Sequence, residues 1–118
     1  MRQVLLMTNP QKQKGDQYER DTIKYLRDSG FEVDRTRAGW SDDRGDIHGI
    51  KGFTFECKNW KTATLPLWIR ELEVECANNK TYVGAVIHKK KGSTDMGEQY
   101  ATLPFKMLVL LLRQAGYK

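Results

Sequence analysis

"GDIHGIKGFTFECKNWKT", residues 45–62, is the stretch on which the fold turns. Ile47, Phe53, Phe55 and Cys57 are the apolar set of a buried hairpin, yet two carboxylates and an ammonium, Asp46, Glu56 and Lys58, stand among them. Gly49 to Gly52 supply a turn between two strand-like runs. Centring that turn on Lys51 sets Asp46 opposite Glu56 and Ile47 opposite Phe55. Strand side chains alternate faces. Asp46, His48, Thr54, Glu56 and Lys58 therefore share one face, and Ile47, Phe53, Phe55 and Cys57 the other. Both strands sort their residues the same way, which fixes the register, because a one-residue slip would exchange the faces. The charged face has two readings, a solvated surface or a metal site.

Outward from the hairpin, residues 11 to about 29 predict a helix that stops at Gly30. Ile23 and Leu26 mark its inward stripe, and Glu19 lies on the same stripe. Tyr18, Thr22 and Tyr25 form the adjacent row. Phe31 to Arg35 alternates and reads as a strand. Residues 38–45 read as a loop. Residues 65–79 predict a second helix, with Leu65, Trp68, Ile69, Leu72 and Cys76 as its apolar stripe and Pro66 in its first turn. Tyr82 to Ile87 reads as a strand covered on both faces. Residues 88–98 form a polar, basic loop, and Gln99 to Leu103 a last strand. A final helix runs from near Pro104 to about Gln114. Its segment Met107 to Leu112 is apolar all round, which predicts burial on more than one side and a possible dimer surface. Thr-Leu-Pro precedes both later helices, at 64–66 and 102–104, and reads as repeated capping chemistry. The order is α-β-β-β-α-β-β-α, an α/β domain with a mixed sheet between helices.

The 118 residues suggest one domain, with residues 1–10 as an N-terminal arm in which Val4 to Met7 form a short strand or pack on a partner. Twenty Lys and Arg against fifteen Asp and Glu give a net charge of +5, which favours an anionic partner, nucleic acid first. Two isolated cysteines, Cys57 and Cys76, make neither a disulfide framework nor a zinc site and are expected reduced. The longest early apolar run is too short for a signal peptide or a membrane span. A cytoplasmic chain with no membrane partner is expected.

Opposed residues of an antiparallel pair hold their Cβ atoms ~4.5–5.5 Å apart. Two carboxylates so close repel unless a cation sits between them. Mg²⁺ suits such a pair, since it takes oxygen ligands and is content with one or two carboxylates. Lys58, two residues past Glu56 on the same face, suits the orientation of a water and the stabilisation of developing phosphate charge. Glu19 would approach from its helix toward the same metal, a second one, or a ligating water. On spacing alone, Asp, nine residues, then Glu-x-Lys is a weak pattern, and a solvated face is the commoner outcome. The register, the inward Glu19 and the flanking basic residues shift the balance toward a site.

These residues carry a resemblance. "KGDQYERDTIKYLRDSGFEVDRTR" is similar to the first helix and strand of the archaeal Holliday junction resolvase family and of phage-encoded resolvases, within the PD-(D/E)xK nuclease superfamily. "GDI" matches the aspartate motif with Gly45 in place of the superfamily's proline, and "FECK" matches the Glu-x-Lys motif. The resemblance covers residues 12–62. It implies a restriction-endonuclease-like fold and a Mg²⁺-dependent endonuclease, with Mn²⁺ as a substitute, that hydrolyses a phosphodiester of a four-way junction to leave 5′-phosphate and 3′-hydroxyl ends. It further implies a homodimer, located in the host cytoplasm if the chain is phage-encoded.

The same resemblance implies Glu19, Asp46, Glu56 and Lys58 as the active site, with the Cys57 backbone carbonyl as a further metal ligand. Arg20, and either Arg35 or Arg37, take catalytic or phosphate-contacting roles, and Ser41 falls in the loop where such resolvases carry a functional serine. Trp40 and Trp60 flank the site as candidates for stacking on bases or wedging a junction, whereas Trp68 belongs to the core stripe. Lys12, Lys14, Arg44, Lys61 and the basic run His88, Lys89, Lys90 and Lys91 are candidate phosphate contacts. His48 shares the acidic face, as a ligand, a base or, more commonly, a neutral polar strand residue. Two other classes of function stay open: a less selective nuclease of the same superfamily, and a non-catalytic DNA-binding module.

Overall fold

The computed structural model describes residues 9–36 and 45–118. Helix α1 spans Pro10–Asp28 and starts where the sequence supplies a cap, the Asn9 side chain accepting from the Gln11 and Lys12 amides at 3.1 and 3.2 Å. Strands β1 (Asp34–Arg35), β2 (Ile47–His48) and β3 (Phe53–Lys58) follow, then helix α2 (Leu65–Asn79) and strand β4 (Val83–His88). A 3₁₀ turn (Met96–Glu98), strand β5 (Tyr100–Thr102) and helix α3 (Phe105–Gln114) complete the described chain. Residues 1–8 of the expected arm and residues 38–44 of the expected loop lie outside the described residues, while Asn9 and Pro10, expected in the arm, cap and open α1.

The five strands lie side by side in chain order. Pairing is antiparallel along β1–β2–β3, parallel between β3 and β4, and antiparallel between β4 and β5. A parallel pair needs a crossover, and α2 is that crossover. The mixed sheet with its helices is compatible with a restriction-endonuclease-like fold. Ile47 pairs with Phe55, the register that the turn at Lys51 predicts. The strand expected over Phe31–Arg35 is shorter: Val33 is buried, but Phe31 is about half exposed and hydrogen-bonds back to the helix end at Leu26.

The faces of the hairpin sort as expected, but neither is left to solvent. Ile23 of α1 packs with Val33, Ile47 and Phe55, and Cys57 joins the rim of that cluster. On the opposite face Trp68, Leu72 and Cys76 of α2 pack with Val83, Val86 and Met107. Thr54 and Glu56 point into this second layer and are buried. A solvated charged face is thereby excluded for Glu56. Gly84 of β4 sets the approach: a Cβ there would lie 2.5 Å from the Thr54 carbonyl oxygen and 3.1 Å from Leu72 Cδ1. Only hydrogen fits between this strand, its neighbour and α2.

Two expectations fail. Helix α3 is not surrounded: Met107 is buried, while Phe105, Leu108, Leu110 and Leu112 are exposed. A ten-residue helix on one side of a sheet buries a stripe, and its other apolar residues face outward. Nor does Thr-Leu-Pro repeat a capping device. Thr64 occupies the N-cap of α2 without a side-chain cap bond, and Pro104 occupies that of α3. The Thr102 hydroxyl instead lies 2.7 Å from His88 Nε2.

Burial separates the two apolar helix surfaces energetically. Leu72→Ala, at a fully buried position, should cost ~2–5 kcal/mol. Leu108→Ala, on the outer surface of α3, should fall within ~0.5 kcal/mol of the wild type. Urea unfolding of both variants checks the contrast.

Candidate active site

Asp46 is held by the backbone on three sides. Its amide donates to the Phe55 carbonyl at 2.8 Å, its carbonyl accepts from Thr36 at 3.0 Å, and its Oδ2 accepts from the Cys57 amide at 2.7 Å. Gly45 makes this entry possible. Its φ is +90°, and a Cβ would lie 2.6 Å from the Phe55 carbonyl oxygen. Proline is locked near φ −65° and cannot take that conformation. The glycine in place of the superfamily's proline is thus required by this backbone.

Asp46 and Glu56 meet side by side, as their opposition in the hairpin requires, and hydrogen-bond to each other. Burial, reinforced by the neighbouring Glu56, pushes Asp46 up to about 9. Burial also pushes Glu56 up to about 8, with Glu75 adding to the rise. Glu75 was not foreseen. It stands on α2, is 2% exposed and hydrogen-bonds Glu56 from the opposite layer. Its spacing gave the signal, because position 75 lies seven past Trp68 and three past Leu72, on the inward stripe. The same logic that singled out Glu19 singles out Glu75.

Lys58 completes the group from the end of β3. Its Nζ lies 2.9 Å from Glu71 Oε1 and 4.0 Å from Glu56 Oε2. Burial works against its charge, but the bond to Glu71 and the field of Glu56 outweigh this and raise its pKa. The ammonium therefore stays charged. Glu71, one turn before Glu75 on α2, was also absent from the expected site.

Glu19 comes from α1, the other layer, and is held by Arg35, whose Nε lies 3.0 Å from Glu19 Oε1 and whose Nη2 lies 3.2 Å from Asp16 Oδ1. Burial and the Asp46 charge raise its pKa despite Arg35. Glu19 thus senses Asp46 electrostatically. Of the two arginines left open, Arg35 is joined to this group, and Arg37 lies outside the described residues.

The flanking candidates separate. Arg20 is exposed on α1, and Lys12 pairs with Asp16 at 3.0 Å. Lys90 pairs with Glu98 at 3.3 Å. His88 does not belong to an exposed basic run. It is buried, its ring stands 5.5 Å from those of Trp68 and Tyr100, and burial lowers its pKa. His48 pairs with Asp34 across the β1–β2 ladder. Trp68 is buried in the core as expected, and Trp60 is exposed. Lys14, Trp60, Lys61, Lys89 and Lys91 gather around one cavity. Trp40, Ser41 and Arg44 lie outside the described residues. The Cys57 thiol is held well above its ordinary pKa by burial, which leaves its backbone amide, bonded to Asp46, and its carbonyl as its polar contribution.

Among the described residues, no group of three or more His, Cys, Asp or Glu is gathered as a metal site. The donor set nevertheless fits a hard divalent cation. Asp46 and Glu56 are buried carboxyls whose mutual hydrogen bond needs a proton, and a cation between them would take that proton's place.

Residues 10–82, more than half of the chain, match the family model described as archaeal Holliday junction resolvase (hjc). No curated protein matches, and no solved structure matches. No helix among the described residues is long and apolar enough to cross a membrane.

The raised carboxyls make stability depend on pH in a definite sense. Between roughly pH 4 and pH 9 the folded chain holds protons at Asp46 and Glu56 that the unfolded chain has released. Stability must therefore fall as pH rises through that window when divalent metal is chelated. Asp46→Asn should flatten the fall. Mg²⁺ at about pH 8 should raise the unfolding midpoint of the wild type more than that of Asp46→Asn. Urea titrations near pH 5 and pH 8, with EDTA and with Mg²⁺, check both statements.

Proposed function

The chain belongs to the archaeal Holliday junction resolvase family, and on that premise we propose that it is a metal-dependent endonuclease that resolves four-way DNA junctions. The observation that carries this reading is the buried, mutually hydrogen-bonded pair Asp46 and Glu56, with Lys58 two residues beyond. Asp46, Glu56 and the Cys57 carbonyl would hold Mg²⁺, with Mn²⁺ as a substitute. When bound there, the cation supplies positive charge to the phosphate oxygens and makes a water acidic enough to attack.

The chain's own side chains do the rest. The Cys57 amide fixes the Asp46 carboxylate, and Glu75 fixes Glu56 from the opposite layer. Lys58 brings a charged ammonium to the scissile phosphate, where stabilising developing charge is worth most in a dry site. Glu71 holds that ammonium in place until the phosphate arrives. Arg35, braced by Glu19 and Asp16, supplies a second cation on the α1 side. Two sites related by a two-fold axis match the symmetry of a four-way junction, and the exposed apolar residues of α3 suit a homodimer contact. A cytoplasmic location accords with action on DNA.

A labelled four-way junction incubated with the protein and Mg²⁺ tests this. Symmetric nicks near the branch point are expected, with duplex of the same length cut far more slowly. Lys58→Ala and Asp46→Asn should each lower the cleavage rate at least ~100-fold. Equal cutting of duplex would reassign the chain to a less selective nuclease, and tight junction binding without cleavage in Mg²⁺ or Mn²⁺ to a DNA-binding module.

A further inference from the structure

Beyond Lys58 the chain encloses a cavity of about 500 Å³. It lies off the ends of β3 and β4, which are parallel and both finish there, at Lys58 and His88. The region beyond the carboxyl ends of parallel strands is where α/β sheets commonly receive ligands. Three segments build the walls: α1 through Lys14, the β3–α2 loop through Trp60 and Lys61, and the loop after β4 through Lys89 and Lys91. Trp68 and His88 also line it, and both are buried.

The chemistry of the lining is one-sided. Four lysines line the cavity and no Asp or Glu does. None of the ion pairs between described residues takes up any of these four. Lys89 Nζ instead donates to the Ser93 carbonyl, which ties its loop down and orients the side chain. Trp60 is 54% exposed and lines the cavity, so its indole is accessible to a ligand there. The loop is not loose: Gln11 Nε2 donates to the Asn59 carbonyl at 2.9 Å, and the Lys89 amide donates to the Lys58 carbonyl at 3.2 Å. An indole face and several ammonium groups around one concavity suit a ligand with a flat aromatic part and an attached anion. The volume lies within the ~300–1,000 Å³ of small-ligand sites.

We propose that this cavity receives one unstacked nucleotide of the DNA strand, its base on Trp60 and its phosphates among Lys14, Lys61, Lys89 and Lys91. The inference rests on the DNA-processing reading above and sharpens it. Selection for branched DNA then comes partly from the branch point, where stacking is interrupted and a base is extruded at lower cost than inside a duplex. Stacking on an aromatic side chain is indifferent to base identity, so the cavity selects structure rather than sequence.

The test uses two duplexes of equal length, one fully paired and one carrying a single unpaired 2-aminopurine nucleotide, bound without divalent metal so that neither is cut. The wild type should prefer the second by about tenfold, with quenching of the 2-aminopurine fluorescence. Trp60→Phe should keep most of the preference and Trp60→Ala should bring the ratio of the two affinities close to one. Equal affinities in the wild type, or an unchanged ratio in Trp60→Ala, would overturn the inference. A protein that cuts junctions but shows no such ratio loses the cavity proposal and keeps the proposed function. A protein that binds neither duplex yet cuts a four-way junction likewise loses the cavity proposal alone, and one that also fails on the junction loses both.

Discussion

The contact between Asp46 and Glu56 is the constraint around which the rest of the fold is arranged. Two carboxyls side by side and out of water oppose folding unless they are protonated or bridged by a cation. The chain enforces the contact with several independent restraints. The hairpin register opposes the two residues, the Cys57 amide fixes one carboxylate, and α2 seals the other from above. Each restraint also serves the core, since Ile47 and Phe55 face one layer while Thr54 and Glu56 face the other. The apolar burial of Leu72, Val86 and Ile47 offsets the electrostatic cost, at ~1.5–3 kcal/mol for each fully buried side chain. Stability and chemistry are thus drawn from the same few residues.

The layers divide the charged groups in a way that strand alternation alone does not. Glu19, Arg35 and Asp16 work from the α1 side, and Glu71 and Glu75 from the α2 side. Asp46 sits between them, near enough to both to raise the pKa of Glu19 and to share a hydrogen bond with Glu56. Lys58 is the charged outlet of this arrangement, at the strand end where the cavity begins.

Much of this was legible in the sequence. The hairpin register, the full extent of α2 and the inward Glu19 all follow from period and turn chemistry, because a two-residue alternation and a glycine turn leave little freedom. What the sequence concealed has physical causes. Glu75 was masked by its type: a carboxylate on an apolar stripe is read as an interruption until a partner layer is known. The length of β1 was masked because alternation at Phe31 and Val33 persists where pairing has stopped. Helix α3 looks buried from composition, but burial depends on how many neighbours reach it, and that number is a property of the whole fold. His88 reads as part of a lysine run, although its strand carries it inward beside Thr102.

The missing side chain at position 84 has a wider effect than its size suggests. The depth at which Glu75 of α2 meets Glu56 of β3 is a helix-to-sheet distance, and that distance is set where Leu72 and Cys76 press on Gly84. Larger and smaller apolar residues can be exchanged around this contact with compensating shifts, because side chains repack. No neighbour can compensate for a methyl group that meets a backbone carbonyl at 2.5 Å. One added methyl here would part β4 from the Thr54 carbonyl of β3 and press on Leu72 Cδ1 and Cys76 Sγ of α2 at 3.1 and 3.0 Å, shifting the helix against the sheet. Glu71 and Glu75, both carried by that helix, would be drawn together from Lys58 and Glu56. The alignment of a charged cluster in this chain is thus governed from an uncharged position that never touches it.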